Sequence, residues 1–68
     1  MPDLRRDANL QDADGFYADL LAVHDGLTKA ESDALNARLI LILSNHIGDA
    51  EVLSQALHDA AATAGRQD

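Results

Sequence analysis

Apolar residues recur along this chain with the period of a helix in three successive blocks, separated by glycines and short polar stretches. In the first block Phe16, Leu20, Val23 and Leu27 return at intervals of four, three and four residues, with Tyr17, Leu21 and His24 beside them. That spacing makes a wide apolar stripe on one side of a helix running from about Asp12 to Asp25. Asp12 or Asp14 can accept hydrogen bonds from the free N–H groups of its first turn, and Gly26 supplies the left-handed residue that ends it. The second block opens on Thr28 and Glu31, which have the spacing of a capping box. Nothing breaks it before Gly48, so a helix is predicted over 29–47. Asp49 then caps a third helix, with Glu51 in the first turn, where the helix dipole favours an anion. That helix carries Val52, Leu53, Ala56, Leu57, Ala60 and Ala64.

The run Leu39-Ile40-Leu41-Ile42-Leu43 could be a buried strand on period alone. Length decides for helix, because the run lies inside an uninterrupted block of about twenty residues rich in helix formers. Residues 1–11 are polar and without period and read as a flexible N-terminal arm; 12–64 form the domain, and 65–68 fray. Short connections make successive helices antiparallel neighbours. The expected fold class is all-α, a three-helix up-down-up bundle associating through its second helix.

That association is read from the second helix itself. On a wheel of about 100° per residue, Leu35, Leu39, Ile40, Ile42, Leu43, His46 and Ile47 cover one broad arc. Glu31, Arg38 and Asn45 form a narrow polar strip, and beyond it Leu41 stands among Ala34, Ala37 and Gly48. A helix apolar nearly all round needs cover on more than one side. Two neighbouring helices in 68 residues cannot supply it. Ala34, Ala37, Arg38, Leu41 and Asn45 are therefore the candidate interaction residues, most simply against a second copy about a two-fold axis. Asn36 interrupts the apolar arc, where a polar residue can fix register.

Composition narrows the classes of function. A domain this short buries only about 60% of the surface of its unfolded chain. It has no cysteine, so disulfides, thiolate metal sites and cysteine nucleophiles are all excluded. Net charge is −7, and only Arg5 and Arg6 are adjacent basic residues, which argues against nucleic acid and against an anionic membrane surface. No run reaches the roughly 18 apolar residues of a membrane span, and no signal peptide is recognisable. The expected location is the cytoplasm. Phe16 and Tyr17 are the whole aromatic complement, a poor basis for a cofactor pocket, and no cofactor is expected.

Three histidines, one in each helix, raise the question of a metal. His24 and His46 fall at C-terminal ends that an antiparallel hairpin holds roughly 25 Å apart. His58 falls on the polar side of the third helix, so no single-chain metal site is expected. An antiparallel dimer could still bring His46 of one copy near His24 of the other, making these two the candidate ligands of a metal- or small-ligand-binding module. Ser32, Ser44 and Ser54 lack a nucleophile motif, and the chain lacks the volume for a typical pocket of about 300 Å³ or more. No catalytic residue is assigned, and the expectation is a non-enzyme.

Phe16-Tyr17, His24-x-Gly26-Leu27, Leu35-Asn36-Ala37-Arg38-Leu39 and Asn45-His46-Ile47-Gly48-Asp49 together resemble the pattern of a small bacterial all-helical domain family of unknown function. The resemblance spans about 42 residues, Phe16 to Leu57, and touches every predicted helix. It transfers no chemical role to any of these positions. The family is associated with gene neighbourhoods of flavin-dependent aromatic hydroxylases, which implies an accessory or partner role. The function expected is that of a helical interaction protein, a homo-oligomer or an accessory subunit of such an enzyme.

Overall fold

A computed structural model describes residues 2–64, so the fraying expected over 65–68 lies outside the described residues. The chain forms α1 (Ala13–His24), α2 (Lys29–Ile47) and α3 (Ala50–Ala64), and no strand occurs among the described residues. The fold is an all-α three-helix bundle, and Leu39–Leu43 is helical.

Local chemistry sets each boundary. Asp12 adopts a left-handed conformation (φ 49°) and its side chain accepts from the Gly15 N–H at 3.1 Å. An aspartate tolerates that region because its short side chain can bond locally. At the other end Asp25 is extended, Gly26 has φ 79°, and the Leu27 N–H bonds back to the His24 carbonyl at 3.1 Å. This is the geometry of a type II turn, which requires a positive φ at its third residue. The capping box of α2 is complete: Glu31 N–H donates to Thr28 Oγ1 at 3.1 Å and Thr28 N–H to Glu31 Oε1 at 2.9 Å. Gly48, at φ 74°, ends α2, its N–H bonded to the Ser44 carbonyl. Asp49 Oδ1 accepts from the Val52 N–H at 3.1 Å and opens α3.

Packing between these helices is sparse. Backbone contact between helices is most extensive between α2 and α3, while α1 meets α2 chiefly through the His24 side chain. No described residue is buried. The best-covered side chains are half-buried: Leu20 and His24 on α1, Ser32, Leu35, Leu39 and Ser44 on α2, Val52, Leu53, Gln55 and Ala56 on α3. The radius of gyration is 13.9 Å, whereas a compact domain of this length has about 11 Å.

The segment read as a flexible arm meets α3 through contacts that no periodicity announces. Leu4 N–H donates to Gln55 Oε1 at 3.0 Å, and Gln55 Nε2 reaches the Pro2 carbonyl at 3.4 Å. Arg6 pairs with Asp59 at 2.9 Å, which raises the guanidinium pKa first through the hydrogen bond and then through the charge. Both partners are at least half exposed, so the pair positions the segment more than it holds it.

Candidate functional site

Two features of this bundle could carry function: the polar cluster around His24 and the uncovered apolar surface of α2.

His24 sits in the last turn of α1 with both ring nitrogens engaged by α2. Nδ1 is 2.9 Å from Ser32 Oγ and Nε2 is 3.1 Å from Asn36 Oδ1. With the amide as assigned, Asn36 offers an acceptor, so Nε2 carries the proton and donates; Nδ1 then accepts from the Ser32 hydroxyl. Serine, histidine and asparagine in a row share the logic of a nucleophile, a base and an orienting group. Reaction would also need a place for substrate and donors for an oxyanion. The nearby groove of about 350 Å³ is lined by Val23, Leu27, Glu31, Ala34, Leu35 and Arg38, none of them from the cluster. The cluster reads as a polar tie between two helices. Asn36 satisfies the neighbouring helix of its own chain, and Ser32 is the partner that the sequence reading did not single out.

His46 lies in the last turn of α2, ten residues beyond Asn36 and so about 15 Å along the axis from the His24 cluster. A metal bound by His24 would have to displace Ser32 or Asn36. His58 is exposed on α3, and no group of three potential metal ligands occurs among the described residues.

Ala34, Ala37, Arg38, Leu41 and Asn45 are all exposed. Leu41 leaves 69% of its surface open, and Ile42 on the adjoining face 65%. The groove of Val23 and Leu27 flanks Ala34 and Arg38 on the α1 side. On the α3 side Ile40, Ser44, Leu53, Ala56, Leu57 and Ala60 line a second groove of about 450 Å³, almost wholly apolar. The expectation that the chain is too small for such a volume therefore fails: loosely packed helices leave open grooves between them. The sequence reading did not find this second groove. Its one signal was Ala56 and Ala60, small residues a turn apart that keep α3 low beside Ser44. Exposed apolar surface also extends over α1, where Tyr17, Leu21 and Val23 each remain more than half open.

Among the described residues no helix is long and apolar enough to cross a membrane. The family described as "Protein of unknown function (DUF2783)" matches residues 4–62, nearly the whole chain. No curated protein and no solved structure matches it.

Proposed function

The chain belongs to the DUF2783 family, and we propose that it acts by association and not by catalysis, as a small helical interaction protein of the cytoplasm. The observation that carries this reading is the absence of any buried described residue beside large exposed apolar side chains on all three helices. A fully buried Leu or Ile contributes about 1.5–3 kcal/mol, and the isolated bundle collects this nowhere in full. Contiguous apolar surface on this scale marks an interaction site in soluble proteins. The occupant is a second copy or an enzyme subunit. The resemblance to a family found near flavin-dependent aromatic hydroxylases favours such an enzyme as the larger partner.

Leu41→Glu tests the reading. The substitution is expected to dissociate the assembly in sedimentation while circular dichroism at high protein concentration keeps most of the helix signal. A wild-type chain that sediments as a folded monomer at every concentration, with a mutant indistinguishable from it, would show this face to be ordinary surface. Metal analysis of the purified protein addresses the other reading, a ligand module built on His24 and His46. Stoichiometric metal lost on His24→Ala would establish it.

A further inference from the structure

We infer that the partner of the α2 face is a second copy of this chain, with the two α2 helices packed antiparallel and each Leu41 seated on Ala37 and Ala34 of the partner subunit. The inference rests on the association reading and adds to it an occupant and a register.

Three observations carry it. The first is area. A compact monomer of this mass exposes about 4,200 Å², against 5934 Å² here, an excess of roughly 1,700 Å² per chain. That excess belongs to the whole chain, and the α2 face carries part of it, with Ile40, Leu41 and Ile42 each more than 60% exposed.

The second observation is charge. The chain holds twelve acidic residues, yet none lies between Ala34 and Gly48, where Arg38 is the only full charge. Two copies of so acidic a protein can therefore meet along this stretch without opposing carboxylates. A basic partner would find nothing there to pair with. Depletion of charge, with arginine tolerated, is also what the centre of an interface shows.

The third is shape. A two-fold axis crossing α2 near Leu39 reverses the partner helix, so the residue opposite Leu41 is the partner's Ala37, and the residue opposite Ala37 is the partner's Leu41. Large therefore meets small twice, as an isologous contact requires. Ala34, one turn before, leaves room for the same Leu41 side chain.

The chain has no cysteine, so introduced thiols report the register directly. Ala37→Cys and Leu41→Cys are prepared separately, refolded alone and as a mixture, and oxidised. The mixture is expected to form disulfide-linked dimer several-fold faster than either variant alone, because like positions lie beyond disulfide reach in an antiparallel pair. Glu51→Cys, on the side of α3 away from the groove, serves as the control and should remain uncrosslinked when mixed with either. Either single variant linking to itself as fast as the mixture would overturn the antiparallel register. A wild-type dimer that cross-links at neither position would overturn this surface while leaving association intact. A poorly helical monomer would point to a different partner and overturn the second copy alone. A well-folded monomer would overturn both the inference and the association reading.

Discussion

At the residue scale, stability in this chain is concentrated in caps and turns. Gly48 has φ 74°, and a Cβ there would meet only the Asn45 carbonyl at an ordinary 3.7 Å. Crowding is therefore not the obstacle; the left-handed backbone is. Gly48→Val is expected to destabilise by about 1 kcal/mol or more, read as a lower denaturant midpoint with an unchanged slope. Thr28→Ala removes one half of the capping box and should cost about 1 kcal/mol, with the loss of helix beginning in the first turn of α2. Gly15 behaves differently. A Cβ built on it would collide with the Asp12 carboxylate that caps α1. Gly15→Ala therefore exchanges a better helix former for a displaced cap, each worth about 1 kcal/mol. The expected net change in midpoint is close to zero, and a clear stabilisation would show that the cap contributes little. These caps and turns were legible because each is a local pattern: Thr28 with Glu31 three residues on, Asp12 and Asp49 ahead of apolar blocks, Gly26 and Gly48 behind them.

At the scale of the elements, what was legible divides by sequence separation. Helix period gave all three helices and resolved Leu39–Leu43 correctly, since both the period and its interruptions lie within one segment. The contacts of Pro2, Leu4 and Arg6 with Gln55 and Asp59 span more than fifty residues and involve single polar groups. Such pairs leave no periodic trace. The same holds for His24, whose partners depend on how α1 crosses α2. Its place in an apolar stripe announced partial burial, and only the fold names Ser32 and Asn36. Asn36→Ala should cost about 0.5–1.5 kcal/mol, the usual net worth of a hydrogen bond, and should do so by loosening α1 and not α3. The same substitution at Asn45, which makes no hydrogen bond among the described residues, should leave the stability of the separated chain unchanged. Thermal melts of the two variants side by side check the contrast.

Taken whole, the molecule has helices without an interior. The wheel of α2 foresaw surplus apolar surface around Leu41, and Leu41 is open. It did not foresee that Phe16, Tyr17, Leu21 and Val23 would be open as well, because a stripe within one helix does not say how closely its neighbour approaches. The proposed association would couple folding to assembly, and the expected sign of it is a melting temperature that rises with protein concentration. A tenfold dilution should lower the midpoint measurably in the wild type and have no effect on a folded monomeric variant. A wild-type midpoint independent of concentration would count against assembly.

The tie between α1 and α2 also has a consequence in time. Two hydrogen bonds at His24, beside a turn that pivots at Gly26, hold the last turn of α1, while its first two turns rest on little but their own backbone bonds. Local opening there gives up only the partial cover of Phe16 and Leu20, so it carries a low free-energy cost compared with opening the centre of the bundle. Amide protons from Phe16 to Leu20 should exchange with deuterium well ahead of those from Leu39 to Leu43, in the centre of α2. Removing the Asn36 amide should widen that gap by releasing α1 as a unit, leaving α2 and α3 to exchange as before.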